Sequence, residues 1–122
     1  MSRIKAFVFG AAVLLFAASA AASGVPTAAA PQKGRAAQVE RGRAVYTSNC
    51  VRCHGADGQG RTRLAETVEP PDMSDPAWQR ARGDSRMIAS VANGRGQMPA
   101  FKKKLSRPDI AAAIAYVRTL RR

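Results

Sequence analysis

Apolar residues recur at helical spacing in three parts of this chain, and no stretch alternates apolar and polar residues as a strand does. The clearest pattern follows Ser106, where one stripe contains Ile110, Ala113, Ile114, Val117 and Leu120. Ser106 and Asp109 approximate a capping box, and Pro108 suits the first turn of a helix. The pattern predicts a C-terminal helix, with Arg118, Arg121 and Arg122 at the negative end of its dipole.

Two shorter helices are predicted upstream. Between Asp84 and Asn93, Met87 pairs with Val91 and Ile88 with Ala92 four residues apart; Asp84 or Ser85 suits the N-cap and Gly94 the C-terminal stop. Between Ala37 and Ser48, one narrow apolar edge contains Val39, Gly42 or Arg43, and Tyr46. These elements predict an all-α domain.

Three segments are expected along the chain. Residues 1–22 carry Arg3, Lys5 and an uncharged Ala-rich run, which predicts a cleaved signal peptide of the general secretory route. Residues 23–36 are rich in Ala, Pro and Gly without apolar periodicity, which predicts a flexible lead-in. Residues 37–122 form the domain, in which Pro70 and Pro71 interrupt any helix begun near Leu64.

The composition indicates a small, basic, exported domain. With 122 residues and 6% aromatic side chains, it has few large groups with which to build a core unaided. The net charge of +12 favours acidic partners. Nucleic acid is not expected, because no recognition motif accompanies the charge. An acidic protein or the anionic surface of a membrane is the expected partner.

The strongest chemical signal is Cys50-Val51-Arg52-Cys53-His54, the C-x-x-C-H pattern of covalent haem attachment. Thiols one helical turn apart can join two vinyl groups of one porphyrin, while the next residue places an imidazole beneath the iron. A structural disulfide explains the cysteines but not the histidine. A thioredoxin-like pair lacks its βαβ context, and a zinc site lacks a fourth ligand.

The second axial ligand of such an iron cannot be histidine from the same chain, because His54 is the only histidine. A methionine thioether is the expected ligand, and it would raise the reduction potential. Met98 is the preferred candidate, since it lies in Gly94-Arg95-Gly96-Gln97-Met98-Pro99 between two predicted helices. Met73 and an open coordination position remain alternatives, whereas Met87 suits a core position.

These motifs resemble the bacterial class I cytochromes c, with the likeness covering roughly residues 37–120. The resemblance implies a small all-α fold, with three or more helices packed around one covalent haem c. It further implies a close crossing of the first and last helices at Gly42, Tyr46 and Tyr116. Pro71, or alternatively Pro70, would accept a hydrogen bond from the ring of His54, and Met73 would pack against the haem. Trp78 would pack at the haem edge, bind a propionate or simply fill the core.

The expected function follows from a haem held by Cys50, Cys53, His54 and Met98 with no vacant position on iron. Such a protein is a one-electron carrier between exported redox partners rather than an enzyme. The alternative is a haem subunit of a larger respiratory or oxidising complex. The expected state is a periplasmic monomer, and Lys102-Lys103-Lys104 either steers an acidic redox partner to the haem rim or is simply solvated.

Overall fold

A computed structural model describes residues 30–122, so the predicted signal peptide and the first half of the predicted lead-in, residues 23–29, lie outside the described residues. Six helices follow one another: α1 Ala30–Asn49, α2 Val51–His54, α3 Ala65–Val68, α4 Pro76–Arg80, α5 Asp84–Asn93 and α6 Arg107–Thr119. Within residues 30–122 there is no strand, only an isolated bridge between Arg95 and Met98. The prediction of an all-α fold is confirmed.

The first helix begins earlier than its apolar pattern indicates. α1 starts at Ala30, so the last seven residues of the expected lead-in are helical. Residues 32–38 are all exposed, which explains why no apolar stripe marks this part of the helix. The buried contacts of α1 begin with Gly42 and Tyr46, within the segment that the pattern predicts.

The caps of α5 and α6 mostly agree with expectation. Ser106 caps α6 by accepting a hydrogen bond from the backbone N–H of Asp109 at 3.2 Å, as the capping box predicts. α5 has the predicted bounds, but its N-cap is Gly83, and Asp84 is already its first helical residue. Asp84 therefore supplies negative charge to the first turn rather than a side-chain cap.

The short helix α4 was not predicted. Asp75 caps it by accepting a hydrogen bond from the N–H of Ala77 at 2.8 Å, and Pro76 occupies the first turn. Helix α3 lasts four residues, and the chain then enters the left-handed region at Glu69 before the two prolines. Neither short helix contains enough residues to show apolar periodicity.

The core joins four parts of the chain, namely α1, α5, α6 and the segment before α4. Its buried side chains are Tyr46, Met73, Met87, Ile114 and Val117. The predicted stripe of α6 is confirmed, because Ile110, Ala113, Ile114 and Val117 are buried and Leu120 packs against the core as a half-buried neighbour. α1 and α6 make the most extensive contact between helices.

α1 and α6 cross at Gly42, as the family resemblance implies. A Cβ atom at Gly42 would lie 1.9 Å from the carbonyl oxygen of Ala112, so only glycine permits this approach. Beside it, the rings of Tyr46 and Tyr116 pack in a tilted pair with centroids 5.3 Å apart. The contact brings the end of α1, and therefore Cys50, against the centre of the molecule.

The C-terminal end of α6 holds the segment 72–84. Arg118 donates to the carbonyl oxygens of Gln79 and Arg82 and forms an ion pair with Asp84 at 2.7 Å. Gln79 is buried, and its side-chain amide donates to the carbonyls of Met73 and Val117. Arg118 was expected to interact with the helix dipole, and the structure shows that it also provides hydrogen-bond donors for two carbonyls of the segment 72–84. In the part of the chain described, no helix is both long and apolar enough to cross a membrane.

Candidate functional site

The two cysteines lie on one helical turn between α1 and the loop after α2. The backbone N–H groups of Cys53 and His54 both donate to the carbonyl of Cys50, at 3.1 and 2.9 Å. This turn presents Cys50, Cys53 and His54 together from one short segment. Tyr46 fixes the end of the turn, because its hydroxyl donates to the carbonyl of buried Gly55 at 2.7 Å.

The loop after His54 folds back on the same turn. The N–H of Gly60 donates to the carbonyl of His54 at 2.8 Å, and the hydroxyl of Thr62 donates to the carbonyl of Cys53 at 3.3 Å. These bonds satisfy the carbonyls at the C-terminal end of α2, which would otherwise lack partners. The attachment motif is therefore held on both sides, by Tyr46 before it and by residues 60–62 after it.

Burial favours the neutral forms of the Cys50 thiol and the His54 imidazole. Burial raises the pKa of the Cys50 thiol to about 11, Cys53 adds to the rise, and the charge of Lys104 opposes it. Both cysteines are free thiols, so the disulfide alternative is not formed. Burial lowers the pKa of the His54 imidazole, which favours the neutral form that binds a metal ion.

The predicted bond between Pro71 and His54 is absent. Nδ1 of His54 is buried and has no hydrogen-bond partner, so the carbonyl of Pro71 does not accept from it. Pro71 is exposed, and the following chain turns inward so that Met73 is 8% exposed inside the core. Its backbone N–H donates to the carbonyl of Gly58 at 2.8 Å, which fixes the loop of the motif against Met73.

Met98 lies on a tight loop between α5 and α6. Arg95 and Met98 exchange two backbone hydrogen bonds of 3.0 Å, which closes a turn around Gly96 and Gln97. Gly94 has a positive φ, and a Cβ there would lie 2.7 Å from the carbonyl oxygen of Met98. Met98 is half-buried on this loop, whereas Met73 and Met87 belong to the buried core.

A side-chain hydrogen bond of Gln97 connects the Met98 loop to helix α3. Its side-chain amide donates to the backbone carbonyl of Thr67 in α3 at 3.2 Å, and α3 in turn contacts α2. The sequence did not predict this hydrogen bond, because no residue near Gln97 in the chain indicates a contact with a carbonyl thirty residues away.

Three buried side-chain polar atoms in the described residues lack a hydrogen-bond partner, and Oε1 of Gln59 is one of them. Besides Nδ1 of His54, the indole nitrogen of Trp78 is buried without a hydrogen-bond partner. An unsatisfied buried N–H costs about 1–3 kcal/mol, so such atoms are uncommon in a folded protein. A neutral imidazole and two free thiols on one turn fit haem c. In residues 30–122 no group of three His, Cys, Asp or Glu side chains could hold a metal ion, which leaves the zinc alternative without ligands there.

Comparison with known proteins identifies the family. The family described as "Cytochrome C oxidase, cbb3-type, subunit III" matches residues 37–117, which is most of the described chain. The chain belongs to this family. Its members are c-type cytochrome domains, which act as electron-transfer modules and carry covalent haem c. The resemblance to class I cytochromes c is thereby confirmed.

Curated relatives of this cbb3-type family are oxidase subunits. The chain is 34% identical over 86 residues to the cbb3-type cytochrome c oxidase subunit CcoP of Azospirillum brasilense, covering 70% of this chain and 29% of that protein. It is 32% identical over 99 residues to the subunit FixP of Bradyrhizobium diazoefficiens, covering 80% of this chain and 31% of the relative. The chain therefore spans less than a third of these relatives' length.

Solved structures similar to this cbb3-type domain are also c-type cytochromes. The KustC0563 c-type cytochrome aligns with a TM-score of 0.63 at 32% identity, covering 66% of this chain and 98% of that one. Cytochrome cL of Methylophaga aminisulfidivorans aligns with a TM-score of 0.56 at 18% identity, over 84% and 72% of the two chains, and supports the fold alone.

Proposed function

We propose that the chain binds one haem c through thioethers to Cys50 and Cys53 and transfers single electrons within or to a membrane respiratory oxidase. The observation that carries the proposal is the single helical turn that presents two free thiols and a neutral, half-buried imidazole, in a member of a c-type cytochrome family. When bound, haem c supplies an iron centre that cycles between two oxidation states.

Four residues of the chain would hold the haem. Cys50 and Cys53 attach it, and His54 ligates from the same turn. Met98 would supply the second ligand to the iron, from a loop that is tightened by Gly94 and tied by Gln97 to Thr67. Ligation by His54 and Met98 leaves no open position for substrate, which favours electron transfer over catalysis at the metal.

Spectra of ferric variants test the ligand assignment. Met98→Ala is expected to lose the weak long-wavelength charge-transfer band of methionine ligation, while Met73→Leu keeps it because leucine conserves the core volume. Covalent haem should remain on both proteins in a denaturing gel and disappear from the variant with Cys50→Ala and Cys53→Ala. Retention of the band in Met98→Ala would show that another group is the ligand.

The relatives favour the oxidase-associated role, since curated proteins at over 30% identity are named as cbb3-type oxidase subunits. A free carrier is the second candidate. It is favoured by KustC0563, a c-type cytochrome chain of which 98% aligns with this domain. Purification from native membranes in mild detergent separates the two: a subunit remains with the oxidase at high salt, and a free carrier elutes alone.

Export to the periplasm forms part of the same proposal. It is supported by the basic start and the uncharged Ala-rich run of residues 1–22, and by the chemistry of haem attachment to two cysteines. Mass spectrometry of the native protein is expected to find cleavage after residue 22. A cytoplasmic protein that keeps residues 1–22 would contradict it.

A further inference from the structure

An apolar groove lies between α5, the turn at 102–105 and the start of α6, and its lining contains none of the proposed haem-binding residues. Its volume is about 420 Å³. Its lining residues are Ser85, Ile88, Ala89, Ala92, Lys102, Leu105, Arg107 and Ile110. Ile110 is buried at its floor, whereas Ser85 and Ala89 are exposed, so the groove is open to solvent.

The wall of the groove is fixed by backbone bonds. The N–H groups of Phe101 and Lys102 donate to the carbonyls of Val91 and Ala92 in α5, at 3.0 and 3.1 Å. The N–H of Leu105 donates to the carbonyl of Phe101 at 2.8 Å, which closes the turn. A partner that enters the groove therefore meets a preformed surface, and the ordering cost of binding is low.

The charge around the groove has one sign. Lys102 and Arg107 are the charged side chains of its lining, and both are exposed. Acidic side chains nearby are engaged elsewhere: Asp84 pairs with Arg118, and Asp109 pairs with Arg41, each at 2.7 Å. An apolar floor between two cations suits a partner that carries an apolar side chain flanked by carboxylates.

We infer that this groove docks an acidic protein partner by taking in one apolar side chain between Lys102 and Arg107. The inference rests on the proposed function and deepens it, because it names the docking surface of the redox partner. A second copy of the chain is itself strongly basic, so self-association through this surface is disfavoured. Burial of the anchor supplies affinity, and the flanking charges fix its orientation.

Peptide binding to the labelled holoprotein tests the inference. Two synthetic peptides each carry two glutamates on either side of one central residue. The central residue is Leu in the first peptide and Gln in the second. The Leu peptide should shift the methyl signals of Ile88 and Leu105 and bind about tenfold more tightly than the Gln peptide, because only its anchor buries apolar surface. Ala89→Glu should remove this preference, and Ala36→Glu on exposed α1 is the matched control that keeps it.

Three results would overturn the docking site. The first is equal affinity for the two peptides, and the second is an unchanged Leu preference in Ala89→Glu. In the third, the methyl signals of Ile88 and Leu105 shift when phosphatidylglycerol vesicles are added but not when the peptide is added. That result would show that the groove binds lipid. The haem spectrum of each sample reports separately on the proposed function, so a failed groove and a failed haem site are distinguishable.

Discussion

At the scale of single residues, the crossing of α1 and α6 depends on a missing side chain. A Cβ at Gly42 would lie 1.9 Å from the oxygen and 2.5 Å from the carbon of the Ala112 carbonyl. Both atoms belong to the backbone of α6, so no rotamer change relieves the overlap and the helices must separate. Separation would also loosen the Tyr46 and Tyr116 pair.

Gly42→Ala is expected to destabilise the holoprotein by about 3 kcal/mol, as overpacking against backbone does. Gly34→Ala is the matched control, because the same helix has nothing within 4 Å of a Cβ at that position. The control should be neutral or gain up to about 1 kcal/mol from helix propensity. Guanidinium unfolding of the two variants checks both values, and equal stability of the two would contradict the close crossing.

At the scale of elements, α1 and α6 are also joined through Asp109. Its carboxylate accepts from the hydroxyl of Ser106 at 2.5 Å and from Nε of Arg41 at 2.8 Å. The Ser106 hydrogen bond and then Arg41 lower the pKa of Asp109 below its usual value. One carboxylate thus serves the start of α6 and the contact with α1.

The stabilising effect of Asp109 is expected to depend on pH. A carboxyl whose pKa is lower in the folded state stabilises the fold above its unfolded pKa, and the effect is lost as the pH falls through the folded pKa. Wild-type protein should therefore be more stable than Asp109→Asn at pH 6, and the difference should vanish near pH 2. Thermal unfolding across this pH range measures the difference in stability between the wild type and Asp109→Asn. Asp75→Asn, which changes the N-cap of α4, serves as the comparison. A constant difference would contradict the assignment.

The elements also show what sequence patterns could and could not predict. α5 and α6 were predicted within a residue or two, because each has an apolar stripe and a recognisable end. The start of α1 is exposed to solvent and has no apolar stripe, so the sequence pattern could not predict that this part of the chain is helical. The pair Asp75-Pro76 was a usable signal for α4, since aspartate caps and proline begins helices.

The candidate site was predictable only where its residues are adjacent in sequence. The spacing of Cys50, Cys53 and His54 sufficed, because one helical turn aligns them. The unpartnered Nδ1 of His54, the bond from Gln97 to Thr67 and the backbone bonds of Arg118 all depend on the packing of distant segments. No local pattern encodes such contacts.

At the scale of the whole molecule, positive charge dominates the surface. The chain has a net charge of +12, and exposed Lys103 and Lys104 follow the Met98 loop closely. The charge of Lys104 also lowers the pKa of the Cys50 thiol, against the larger effect of burial. Steering of an acidic partner toward this side is therefore expected at low salt.

Changing Lys103 and Lys104 to Glu is expected to slow electron transfer to a purified cbb3-type oxidase about tenfold or more at low ionic strength, and to reduce its salt dependence. Lys33→Glu with Arg35→Glu, at the exposed start of α1, gives the same change in net charge and should have a much smaller effect. Stopped-flow rates at several salt concentrations compare them. Similar effects of both pairs would show that net charge acts without a local surface.

The bonds of Arg122 have a practical consequence for protein engineering. The backbone N–H of Arg122 donates to the carbonyl of Ser74, and its guanidinium pairs with Asp72 at 2.7 Å. A tag, dye or electrode linker attached directly after Arg122 would compete with the bonds that fasten the segment carrying Met73. Attachment near Gly34, where the helix surface is open, gives a handle that leaves the redox module undisturbed.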